Sequence, residues 1–240
     1  MSRRSNPFSR ISPTALGLVV ASLLLSLVPL VATAPSANAA VCQNYGSGWE
    51  GDYDGANHFG VRVTSPGLDV TNYSTNCVMV RSLYIWLSQN NFVEVGWFED
   101  DGGVLAKCDD VTSPHVLVYA VVDGFVNCKT GTAAVSSGFH GFRVENPGHD
   151  FDFDYWLDGT QVGVYVTNMT QGEVFAASER HKAGDHLGAE FDGLKWLGSA
   201  GDWNDWDQLT GQKDTQPWDN VSDYSFCKVN NRHFLIKPSC

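Results

Sequence analysis

Apolar and polar residues alternate with a period of two along much of this chain, the signature of half-buried β-strands. The pattern is plain in "FGVRVTS" (59–65), "GFHGFRVEN" (138–146) and "TQVGVYVTNM" (160–169). "VMVRSLYIWLS" (78–88) and "NFVEVGWFE" (91–99) are rich in β-branched and aromatic residues, with Gln89-Asn90 between them as a tight turn. "HVLVYAVVDG" (115–124) is nearly all apolar, as expected of a strand covered on both faces. "GEVFAASER" (172–180) and "NRHFLIKP" (231–238) add two more strands. Turn residues punctuate the gaps at Asp101-Gly102-Gly103, Asp123-Gly124, Pro147-Gly148, Asp158-Gly159 and Gln171-Gly172. No stretch carries a sustained 3.6-residue apolar period. Short strands at regular spacing predict an all-β antiparallel sandwich or barrel.

The most suggestive stretch is "HDFDFDYWLDG" (149–159), which holds Asp150, Asp152, Asp154 and Asp158 within eleven residues. Period two turns Phe151, Phe153 and Tyr155 one way and the first three aspartates the other. Successive aspartates on one strand face stand about 6.6–6.8 Å apart, too far for one cation to gather them without a closing loop. A hairpin turning at Asp158-Gly159, with its aromatic face in the core, is the expectation.

The first 39 residues are read apart from the fold. Arg3, Arg4 and Arg10 precede an apolar run that ends in Ala37-Asn38-Ala39, the layout of a bacterial-style secretory signal peptide. Residues 40–240 then form one sandwich domain, with no membrane contact after cleavage. The chain carries a net charge of −12, and the signal holds three of its fifteen basic residues and none of its acids. The exported part is more acidic still and would repel phosphate, which argues against nucleic-acid partners. Six cysteines, Cys42, Cys77, Cys108, Cys128, Cys227 and Cys240, follow the signal without metal-site spacing, and an even count in a secreted chain reads as disulfides. Proximity favours Cys42–Cys77, Cys108–Cys128 and Cys227–Cys240 among the fifteen possible pairings.

The strand His140-Gly141-Phe142-Arg143-Val144-Glu145, followed by Tyr155-Trp156-Leu157-Asp158-Gly159, resembles the central strands of the concanavalin A-like lectin/glucanase superfamily. Phe139 stands where tryptophan is usual. The resemblance spans about thirty residues and implies a jelly roll of two antiparallel sheets whose concave face, in many relatives, takes glycans. The E-x-D-x-x-E signature of the laminarinase-like hydrolases is absent.

Two constellations carry candidate chemistry. In "AASERHKAGDHLGAEF" (176–191), Glu179, Arg180, His181, Asp185, His186 and Glu190 fall close together. Glu179, with His181 beside it, is the candidate catalytic acid–base and needs a second carboxylate from another strand. Glu94, Glu99, Glu145, Glu173 and Glu190 are available for that role, though spacing alone pairs none of them. In 199–220, Trp203, Trp206 and Trp218 sit among hydrogen-bonding side chains, Asn204 included, as sugar-stacking platforms would. No metal ligand set emerges and no cofactor is called for; calcium has no supporting motif, since Trp206 interrupts the acidic loop. The expectation is a secreted, disulfide-bonded, non-catalytic module for an extracellular glycan. A glycan-cleaving enzyme with a glutamate pair is the alternative, and an interaction protein with no small ligand the third reading. Sequence leaves the oligomeric state open.

Overall fold

A computed structural model describes residues 46–64, 67–70, 77–100, 111–134 and 136–240. The signal segment, the Asp101-Gly102-Gly103 turn, Cys42 and Cys108 lie outside the described residues. The chain forms an all-β antiparallel sandwich built from two large sheets.

The larger sheet runs β16 (Thr210–Asp214), β1 (Ser47–Asp52), β12 (Glu173–Arg180), β4 (Val78–Ser88), β5 (Asn91–Asp100), β6 (Val111–Val122) and β7 (Phe125–Ala134). The smaller runs β11 (Thr160–Val166), β10 (Asp152–Leu157), β9 (Phe142–Glu145), β2 (Gly60–Arg62), β14 (Lys195–Leu197) and β15 (Trp203–Asp205). A three-stranded sheet, β13 (Ala189–Asp192), β18 (His233–Lys237) and β17 (Ser225–Asn230), closes one end, and β3 (Leu68–Val70) pairs with β8 (Gly138–His140). Strands β4–β5, β5–β6, β6–β7 and β10–β11 pair antiparallel, and short polar turns close the β4–β5, β6–β7 and β10–β11 hairpins.

Period two decides what each face of the larger sheet does. Odd-numbered residues of β4 and β5 (Leu83, Ile85, Leu87, Val93, Val95, Trp97) and even-numbered ones of β6 and β12 (Val116, Val118, Ala120, Val174, Ala176) point inward. They meet Val61, Phe142, Val144, Phe153 and Tyr155 from the smaller sheet in one continuous core, joined by Phe191, Phe234 and Ile236 from the end sheet. Burying that apolar surface on both inner faces drives the two sheets together.

The aspartate-rich stretch is a hairpin. Phe153 and Tyr155 are fully buried while Asp152 is exposed, and the chain turns at Asp158-Gly159, where both residues have positive φ. Phe151 departs from the alternation: it precedes β10 and is exposed. Asp154 accepts a hydrogen bond from Gln161 at 2.7 Å across the hairpin. Asp158 accepts from the Gly141 backbone N–H at 2.8 Å and meets the His140 ring at 2.7 Å, so it ties β10 to β8. Among the described residues no group of three His, Cys, Asp or Glu is placed to hold a metal.

Cys227 and Cys240 form a disulfide that ties the C-terminal tail to β17. Cys77 and Cys128 are also disulfide-bonded.

Candidate active site

The outward face of the larger sheet is where carboxyl groups gather. Strand alternation places Glu50 of β1, Glu179 of β12, Glu94 of β5 and Asp214 of β16 on that face, and pairing register brings them near one another. Gly48 stands opposite both Glu179 and Asp214, Glu50 opposite Ala177, Ser82 opposite Ala177 and Gly96, and Glu94 opposite Tyr84 and Tyr119. The residues between the carboxyls are small. A Cβ at Gly48 would lie 2.0 Å from the Ser178 carbonyl, and one at Gly46 would lie 2.5 Å from Glu179 Oε2, so neither position admits a side chain without displacing its neighbours. The result is a small depression of about 10 Å³, room for a single water, lined by Glu50, Glu179, Asp214 and the Trp49 and Ser178 segments.

Each carboxyl in this group is held differently. Glu94 is buried, and Ser82 Oγ donates to its Oε1 at 2.5 Å. Burial first, then the charge of Glu179, raises the Glu94 pKa to about 8 against the opposing effect of the Ser82 hydrogen bond. Tyr84 Oη donates to Glu50 Oε2. Burial again dominates at Glu50, and with the charges of Asp214, Asp52 and Glu179 it outweighs that hydrogen bond and lifts the pKa to about 7. Asp214 rises to about 7, from burial and then Glu179. The charge of Glu179 therefore acts on all three neighbours. Its own side chain remains 14% exposed, and its Oε1 lies 3.6 Å from His181 Nε2. Such an arrangement provides a solvent-touching carboxylate beside a buried carboxylic acid that keeps its proton at neutral pH. Environments that separate two carboxyls in this way are what acid–base division of labour needs.

Aromatic rings border the carboxyls. Tyr84 stacks on Phe175 with centroids 4.7 Å apart, and Trp86, Phe92 and Tyr119 follow along the same face. Burial, followed by the charges of Glu94 and Glu179, holds the Tyr119 phenol above its ordinary value, so it stays a hydrogen-bond donor.

The residues picked out in the sequence disperse. Glu179 and His181 are on the carboxyl-bearing face, and Glu94 comes from the roster of possible partners. Arg180 points inward, where Asp219 and Asp223 clamp its guanidinium with bonds of 2.7–3.0 Å. His186 is half-buried, and burial, then Arg81 and Arg180, lowers its pKa to about 4; its Nδ1 accepts from the Gly188 N–H. Glu190 engages His233 at 2.8 Å on the end sheet. Glu99 is buried at the far end of β5, Glu145 pairs with Arg143, and Glu173 begins β12. The expected stacking set needs correction. Trp206 is only 1% exposed and packs in the core against Tyr53, so it offers no face to a sugar. Trp203 lies on edge strand β15 beneath the Arg62 guanidinium, Asn204 bonds its own loop at the Asp202 carbonyl, and Trp218 is half-buried in the connection after β16. These tryptophans sit on separate elements and form no common platform.

Glu50 and Asp214 escaped sequence reasoning because β1 and β16 are short and polar, so neither registers as a strand. Glu94 did leave a mark: it is the lone acid in the apolar run "NFVEVGWF", where a strand buried on both faces has no wet side for a charge.

No protein-family model matches the chain, and no curated protein matches it in sequence. Solved structures share its fold. A Scytalido-glutamic peptidase bound to a peptide-based transition-state analogue superposes with a TM-score of 0.55 at 13% identity, covering 80% of this chain and 98% of that one. SCP-B, a member of the eqolisin family of peptidases in complex with the tripeptide Ala-Ile-His, gives 0.54 at 14% identity over 80% and 98%. A Bacillus licheniformis β-glucanase gives 0.37 at 11% identity over 78% and 70%, too loose a superposition to carry a functional argument. At such identities the likeness establishes the fold alone.

Proposed function

We propose that this protein is an exported, disulfide-bonded hydrolase that cleaves peptide bonds with a carboxyl pair, Glu179 and Glu94. The observation that carries the reading is the buried Glu94 carboxyl, held protonated to about pH 8 within the field of solvent-touching Glu179. Glu179 takes a proton from a water molecule, whose oxygen adds to the scissile carbonyl carbon. The Glu94 O–H donates a hydrogen bond to the oxyanion that forms. Glu179 then passes its proton to the amide nitrogen, the C–N bond breaks, and a carboxylic acid and an amine leave. Glu50 with Tyr84, and Asp214, border the water's position and keep the site acidic. The fold shared with two peptidases, one bound to a peptide-based transition-state analogue and one to a tripeptide, supports this reading.

The signal segment and the disulfides support export. A glycan-cleaving enzyme, the alternative to the non-catalytic glycan-binding module expected from the sequence, makes the same use of two carboxyls but lacks the tryptophan platform. Incubating the exported form (residues 40–240) with an unstructured protein substrate and with a panel of neutral and acidic polysaccharides between pH 3 and 9 separates the two. Peptide fragments that vanish in Glu179→Gln establish the proposal. Reducing ends released from a polysaccharide, with no peptide product, would overturn it in favour of glycan cleavage.

A further inference from the structure

The opposite side of the molecule carries a second, unrelated feature. On the outward face of the smaller sheet, Lys195, Arg62, Arg143 and Trp156 stand in one row, each opposite the next in the pairing register. Like charges directly opposite on neighbouring strands destabilise a sheet, and here three cations adjoin in a chain of net charge −12. Two of them form ion pairs. Lys195 bonds Asp205 at 2.5 Å, and Arg143 bonds Glu145 at 3.2 Å. Arg62 makes no ion pair among the described residues. Its guanidinium lies 4.3 Å over the Trp203 ring, and its buried Nε has no hydrogen-bond partner. Burial first and Arg143 second lower its pKa below the usual arginine value, against the opposing charges of Glu145 and Asp205.

Arg62, Arg143 and Trp156 line a pocket of about 170 Å³ together with Thr64, Gly141 and Asp158. Trp156 Nε1 is a second buried donor without a partner in that lining, while the Trp156 ring packs against the Arg143 guanidinium at 4.1 Å. Asp158 is the acid of the pocket, and its two oxygens are already engaged by the Gly141 N–H and the His140 ring. The volume is below that of a drug-sized site and suits a single ring. An oxyanion held by the two arginines, with the Trp156 ring as a wall for the ring that bears it, relieves the repulsion between the cations.

We propose that this pocket binds a carboxylated sugar residue of an acidic extracellular polysaccharide, with Arg62 and Arg143 on the carboxylate and Trp156 beside the pyranose ring. It is a docking site on the face away from the carboxyl pair and independent of any hydrolysis there. The test titrates the exported form with oligogalacturonate and with the same oligomer methyl-esterified, following tryptophan fluorescence and heat. Binding of the acid and about tenfold or weaker binding of the ester are expected, since losing the charge-assisted bonds removes at least one factor of ten. Arg62→Gln and Arg143→Gln should each weaken the acid by a similar factor, with circular dichroism and melting temperature showing that the fold is retained. Equal binding of acid and ester, no binding of either, or inorganic sulfate displacing the oligomer at matched concentration would each overturn the proposal, the last by showing a simple anion site. Arg62→Gln, which makes no ion pair to lose, keeps the test decisive if Arg143→Gln fails to fold.

Discussion

Glu94 and Glu179 are chemically the same residue, and everything that distinguishes them comes from position. Glu94 sits in the middle of β5 and is buried, so its neutral form is favoured; Glu179 sits at the end of β12, where its side chain stays 14% exposed. If Glu94 acts as a neutral donor, an amide should do the same work. Glu94→Gln is therefore expected to retain most peptide-cleaving activity and to lose the alkaline fall in rate that deprotonation near pH 8 imposes on the parent. Glu179→Gln removes the base, and the rate should drop roughly 10²–10⁴-fold, the ordinary contribution of a positioned acid–base group. Initial rates of both variants across pH 4–10 check this. A Glu94→Gln enzyme that is dead at every pH would mean that Glu94 must ionise, and the roles assigned here would fall.

Element by element, β12 is the strand on which the molecule turns, because its two faces do opposite jobs. Outward it presents Glu179; inward, one residue on, Arg180 reaches Asp219 and Asp223 in the connection between β16 and β17 and locks that segment to the larger sheet. Cutting this lock exposes how burial grades an ion pair. Arg180→Met strands the buried Asp219 and should cost about 3–5 kcal/mol, whereas Asp223, half exposed, is screened, and Asp223→Asn should cost about 1 kcal/mol or less. Urea midpoints of the two variants give the ordering, and equal costs would refute it. The same strand shows why the fold was more legible than the site. β4, β5, β6 and β12 announce themselves because each buries a long regular face, β10 and β11 by their period-two alternation around the Asp158-Gly159 turn, and β4 begins and ends where its apolar run does. β1, β13, β15, β16 and β17 are short and lean on neighbours for their pairing, so local pattern says little about them. The site spans both kinds. Glu179 and Glu94 stood on legible strands, but their meeting depends on β12 pairing with β4, residues nearly a hundred positions apart, which no local period encodes. Trp206 misled for the converse reason: a polar neighbourhood in sequence suggested exposure, while the chain folds that one ring into the core.

At the scale of the whole molecule, crowding several acids on one face makes folding itself sensitive to pH. Glu50, Glu94 and Asp214 have pKa values of about 7, 8 and 7 in the folded protein, against 4.5, 4.5 and 3.8 for the ordinary groups. Raised values mean that the folded state binds more protons than the unfolded chain throughout that interval. The stability these groups contribute is therefore complete near pH 4 and lost as pH climbs through about 7 to 8. His186 works in the other direction, since its lowered pKa of about 4 makes stability fall as pH drops from 6.5 toward 4. Asp205 and Asp223, held below their ordinary values first by hydrogen bonds from Lys195 and Arg180, add a further loss only at still lower pH. The unfolded His186 is half protonated at pH 6.5 and almost wholly neutral by pH 8, so the three carboxyls outweigh it and the melting temperature should fall across that window. Glu94→Gln carries no titrating proton and should flatten the slope, as should Glu50→Gln, which keeps an acceptor for Tyr84. Calorimetric scans of the three proteins at half-unit pH steps make the comparison. With Asp214 still titrating, each substitution should reduce the slope without abolishing it; a slope that Glu94→Gln leaves unchanged would mean Glu94 is ionised at neutral pH, which the proposed chemistry does not allow.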